Sequence, residues 1–104
     1  MGPASPVPVE VQTELARLAQ RWHQLPLRQA LSSAGRLRAA AQELADSLVR
    51  DAGGATIPLS DLGPACALDQ LTVLVYDACV GGRVEGLAER LAVLRRDLTG
   101  PQPF

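Results

Sequence analysis

The chain has no lysine and no asparagine, three aromatic residues, two cysteines and no apolar run long enough to span a bilayer. Each shortage closes off something. Without lysine there is no phosphate-loop lysine, and no glycine-rich phosphate loop or GxSxG turn accompanies it. With only Trp22, Tyr76 and Phe104 as aromatics, there is no RNA-binding aromatic motif, and the core must be aliphatic. The formal net charge of −1 removes the electrostatic basis for general nucleic-acid binding, which needs a surplus of positive charge to neutralise phosphates. All ten basic residues are arginine, spread over three of the four helical segments. That composition reads as the bias of a GC-rich, bacterial genome rather than as selection for guanidinium chemistry.

Cys66 and Cys79 form no CxxC pattern. On one helix they would sit about 20 Å apart along the axis at 1.5 Å per residue, well outside disulfide reach. The first residues lack a basic region followed by an apolar stretch, so no signal peptide is expected. Met1-Gly2 fails as a myristoylation motif because residue 6 is Pro. These features together predict a reduced, cytoplasmic protein with no cofactor.

What the chain has in quantity is leucine and alanine, 33 residues of 104, in helical periodicity. The 104 residues make one domain, with a flexible Pro-rich arm over 1–8, a helical domain over 9–99 and a flexible tail over 100–104. Val11, Leu15, Leu18, Trp22 and Leu25 repeat at spacings of three and four, predicting a first helix over Val9–Gln24. Glu10 and Glu14 favour its start, and Arg17 is placed to pair with Glu14. Pro26 opens a second helix reaching Asp51, stopped by Gly53-Gly54. Its expected inner face is Leu27, Ala30, Leu31, Ala34, Leu37, Ala41, Leu44, Ala45, Leu48 and Val49. Whether these two helices meet at a bend or fold back as a hairpin is open at this stage.

Ile57, Leu59 and Leu62, in the longest connection, are expected to cover an open end of the core. Gly63-Pro64 starts a third helix to Val80. It is the most apolar of the four, with Leu68, Leu71, Leu74, Val75, Ala78 and Cys79 over nearly half its circumference, and is interrupted by too many polar residues to cross a membrane. Gly81-Gly82 reverses the chain. A fourth helix follows from about Arg83 to Leu98, with the ladder Val84, Leu87, Leu91, Leu94 and Leu98 resembling a coiled-coil seam. The predicted fold is a small, all-α four-helix bundle with the apolar third helix at its centre.

Chemistry is harder to find. Arg38 falls within the apolar face of the second helix. Its guanidinium must either reach solvent over an apolar stem or meet an acid across a helix crossing or a subunit interface. Asp69, Gln70, Tyr76 and Asp77 form the polar side of the third helix. That side reads as a solvated face, or as a patch that accepts Arg38 or a ligand cation. Asp69 and Asp77 lie about 12 Å apart along the axis, too far for joint acid–base catalysis. His23, the lone histidine, reads as a surface residue, and the inward Glu and His residues of a metal-binding bundle are missing. Cys66 stands near a helix N-terminus, where a thiolate is stabilised, but no basic partner is close in sequence. Arg90, Arg95 and Arg96 interleave with Glu89 and Asp97, as on a solvated face.

The sequence therefore predicts a non-enzymatic helical interaction or scaffold protein. Such a chain self-associates or binds a protein partner through an amphipathic helix face, since a small chain gains by burying surplus apolar stripe. The seam of the fourth helix, with Leu87, Leu91 and Leu94, or that of the first helix is the expected contact, unless all four stripes are consumed in one monomeric core. The alternative is a small-molecule binder or modest enzyme, its pocket lined by Trp22, Leu68, Leu71 and Val75 and anchored by Arg38, Asp69 or Tyr76. A DNA-associated regulator acting through the fourth helix is the weakest alternative.

Overall fold

A computed structural model describes residues 6–60 and 62–98. Residues 1–5 of the expected arm and all of the expected tail, 100–104, lie outside the described residues, as does residue 99. Among those described, the chain forms four helices and no strand: α1 Val9–Gln24, α2 Leu27–Asp51, α3 Pro64–Val80 and α4 Leu87–Leu98. No helix among them is long and apolar enough to cross a membrane. Val7, within the expected arm, rests against the core and accepts a hydrogen bond from the Gln12 side chain at 2.9 Å.

Proline and glycine punctuate the chain. Pro8 and Pro26 stand at the N-caps of α1 and α2 in extended conformation, and Pro64 opens α3 behind Gly63. None of these three starts has a side-chain cap hydrogen bond. Proline needs no cap for its own nitrogen and fixes φ near the helical value, which suits it to these positions. α4 starts later than the sequence suggests, at Leu87 rather than Arg83. Gly86 has φ of +70°, and a residue in the left-handed region cannot continue a right-handed helix. Val84 is left outside α4 but still packs on the core.

The helices form two tight pairs, α2 with α3 and α1 with α4, joined by two looser seams, α2 against α4 and α1 against α3. Neither α1 with α2 nor α3 with α4 packs along its length, so α1 and α2 meet at the Leu25–Pro26 bend and form no hairpin. α2 and α3 run side by side in the same direction. Gln70 borders a cleft with Gly35, Arg38 and Gln42, and Ala78 borders one with Leu44, Ser47 and Leu48. Two parallel neighbours need a connection that travels back. The side chain of Gln42 holds it, accepting from the Leu59 backbone N–H at 2.7 Å and donating to the Ile57 carbonyl at 3.1 Å. Gln70 adds a bond to the Ser60 carbonyl at 2.9 Å.

The core draws on all four helices. Its fully buried large side chains are Leu18 of α1, Leu37 of α2, and Leu71 and Val75 of α3. Leu87, Leu91, Leu94 and Leu98 of α4 close it. α3 contributes the longest buried set, Ala67, Leu68, Leu71, Val75, Ala78 and Cys79, yet its far side faces solvent. Several expected core positions do not pack. Leu27 and Leu31 are 75% and 54% exposed, while Ala30 between them packs on the core. Ile57 and Leu62 are also exposed, and only Leu59 reaches the core. The crossover is held through its backbone, which does not oblige its side chains to turn inward.

Candidate interaction surfaces

The residues singled out by the sequence fall in three places. Leu87, Leu91 and Leu94 are buried. The α4 ladder and the α1 seam pack on each other, with Val11, Leu18 and Trp22 buried on the α1 side. The contact surface expected on these seams is therefore spent within one chain. The two helices also meet electrostatically. Glu14 lies between Arg17 at 3.1 Å and Arg95 at 3.2 Å, so a ladder of leucines and one ion-pair triplet fix α1 on α4.

Arg38 is half-buried in a shallow cleft of about 270 Å³ with Gly35, Ala39, Gln42, Leu59 and Gln70. Asp69 and Tyr76 are exposed and do not border that cleft. Trp22, Leu68, Leu71 and Val75, the lining expected for an internal pocket, are buried in the core cluster. The structure does not bring Arg38, Asp69 and Tyr76 together. Arg90 and Arg95 pair with Glu43 and Glu14, which spends two of the three basic charges of the α4 cluster on acids of the same chain.

The polar side of α3 differs most from its sequence reading. Val73, Tyr76 and Val80 are 59%, 50% and 61% exposed. At 100° per residue they share one face with Asp69, directly opposite the buried Leu71, Val75 and Ala78. Asp77 borders the same stripe. Neither carboxylate has an ion-pair partner among the described residues, and α3 carries no basic residue. The face expected to be polar is thus an apolar ridge with acids as its only charges. The two valines were the available signal: a helix apolar all round has a second greasy face that a single core cannot cover.

The second surface is the α2/α4 seam. The two helices run antiparallel. Arg36 Nη1 donates to the Asp97 carbonyl at 2.7 Å, Arg90 Nη2 pairs with Glu43 Oε2 at 3.0 Å, and Arg83 pairs with Asp51. Between the first two bridges lies an open groove of about 340 Å³, floored by Leu44, Leu71, Leu87, Leu91 and Leu94 and walled by Ala39 and Val93. Its floor is deep core and its bridges are solvent-exposed side chains. Arg36 has no carboxylate partner among the described residues, since its one bond is to a backbone oxygen. The α1/α3 seam holds a more open hollow lined by Val7, Gln12, Leu15, Ala16, Ala19 and Thr72, with no charged residue in it.

Of the two thiols, Cys79 is buried, and desolvation raises its pKa from the ordinary value of 9.0. Cys66 is half-buried. No three His, Cys, Asp or Glu side chains among the described residues gather where they could hold a metal ion. The chain matches no protein-family profile, no curated protein and no solved structure.

Proposed function

We propose that this chain is a non-enzymatic helical interaction protein that engages another protein chain, or a second copy of itself, through the outer face of α3. The reading rests on one observation: Val73, Tyr76 and Val80 form an apolar stripe at helical spacing on the side of α3 opposite the core. Each apolar side chain left in water forgoes about 1.5–3 kcal/mol that full burial would return. Single exposed apolar residues need no explanation, whereas a contiguous row marks a contact surface. Tyrosine suits such a surface, with its large rigid ring and a hydroxyl that stays wet at the rim. The two free thiols support action in the reducing bacterial cytoplasm.

Site-specific photo-cross-linking in cells expressing the chain tests this. A photoreactive residue at position 76 is expected to give a discrete adduct, and one at the exposed position 20 of α1 is not. Equal labelling from both positions, or none from position 76, sinks the reading.

A further inference from the structure

We infer that the occupant of the α3 ridge is a single amphipathic helix of another protein, one that carries arginine or lysine along the edges of its apolar stripe and lies lengthwise on α3. This rests on the reading of α3 as the contact face and adds the shape and charge of the partner.

The shape follows from spacing. Asp69, Val73, Tyr76 and Val80 succeed one another at intervals of four, three and four, the spacing of a coiled-coil seam. Val73 and Val80 take the a positions, where β-branched side chains favour a two-helix contact, and Asp69 and Tyr76 take the d positions. α3 has a matching seam on its other side, Leu68, Leu71, Val75 and Ala78, which is buried within the chain. A helix with a seam on each side packs between two neighbours, and this chain covers only the inner side. The outer seam runs about 16 Å along the axis from Asp69 to Val80 at 1.5 Å per residue, so about three turns of helix cover it. Side chains in this register stand as knobs with holes between them, and another helix offers the matching pattern.

Charge selects among helices. Asp69 stands within the outer seam and Asp77 beside it at an e position, the place where coiled coils choose partners by charge. Arg83, just past the end of α3, already pairs with Asp51, and Arg38, on the α2 flank, is half-buried in the cleft it shares with Gln70. On the α1 flank, the hollow that reaches Thr72 has no charged residue in its lining. A helix laid on the ridge desolvates Asp69, and a buried carboxylate without a partner is costly. A stripe with neutral or acidic edges is therefore rejected and one with basic edges accepted, which gives the contact specificity as well as affinity. The same two carboxylates repel a second α3 ridge, which would bring four acids together with no base, and they repel any anionic surface.

The probe is a three-heptad peptide with Ile at a, Leu at d and Arg at e and g, set against one with Glu at e and g. Like charges along the edges keep each peptide from pairing with itself. Binding to the full chain is read by fluorescence anisotropy. The Arg peptide is expected to bind about tenfold more tightly than the Glu peptide, by a margin that narrows as salt is raised. Tyr76→Glu is expected to lose the Arg peptide. Asp69→Arg combined with Asp77→Arg is expected to reverse the order, so that the Glu peptide binds more tightly.

Equal binding of the two peptides, binding of neither, an Arg peptide held unchanged by Tyr76→Glu, or an order that survives the charge reversal would each overturn the inference. Should a variant lose its helical circular dichroism, Val73→Glu replaces Tyr76→Glu, and Asp69→Asn with Asp77→Asn, expected to level the two peptides, replaces the reversal. If neither peptide binds while position 76 still cross-links to another protein, the basic helix is wrong and α3 remains the contact face. An adduct of position 76 to a second copy of this chain alone overturns the inference in the same way, whereas no adduct removes the reading of α3 itself.

Discussion

The Nε of Arg21 is buried with no hydrogen-bond partner among the described residues, on a side chain otherwise half in solvent. A desolvated donor without an acceptor costs about 1–3 kcal/mol, whereas an apolar stem of similar length in the same place costs nothing of that kind. Arg21→Met should therefore leave the urea midpoint unchanged or raise stability by up to about 1 kcal/mol; a clear loss would show that Arg21 holds α1 through its head group. Cys79 makes the opposite kind of statement. The folded chain holds the Cys79 proton more tightly than the unfolded chain does, because burial disfavours the thiolate. Its contribution to stability is complete below the ordinary thiol value of 9.0 and is lost as pH climbs through the higher folded value. Urea midpoints should therefore fall more steeply above pH 9 for the parent than for Cys79→Ala, and Cys66 should react first with a thiol reagent in the folded protein.

At the scale of elements, two substitutions probe local design. Gly35 lies inside α2 with open space where a Cβ would stand, and glycine within a helix costs about 0.5–1 kcal/mol relative to alanine. Gly35→Ala should raise stability by about that amount, measured by thermal or urea unfolding. Gln42 is the clamp of the crossover. Gln42→Ala should cost about 1–2 kcal/mol and speed amide exchange at Leu59 while leaving α2 and α3 protected.

Much of this level was legible in the sequence. The limits of α1 and the ends of α2 and α3 follow from apolar spacing read together with Pro8, Pro26, Pro64 and the glycine pairs. Three things were not legible. Gly86 postpones α4 because a single left-handed residue outranks a continuous leucine ladder. The parallel course of α2 and α3 depends on long-range bonds from Gln42 and Gln70, and periodicity carries no sign of direction. The ridge on α3 was hidden because Tyr76 and Asp77 were read as a polar side, while Val73 and Val80 on that same side were counted with neither face.

For the whole molecule, stability is concentrated in the two tight helix pairs. Leu71 belongs to the α2/α3 pair and also floors the seam between α2 and α4. Leu71→Ala should cost about 2–5 kcal/mol, while Leu31→Ala, on the uncovered start of α2, should cost less than about 0.5 kcal/mol; equal costs would mean that α2 is buried more evenly than described. The α1/α4 pair has a consequence for the order in which the protein can be made. Glu14 finds Arg95 81 positions away along the chain, so α1 must wait for α4 to be synthesised before its apolar side is covered. Until then the nascent chain can complete only the α2/α3 half of its core, and Val11, Leu18 and Trp22 stay open to whatever chaperone or neighbouring polypeptide arrives first.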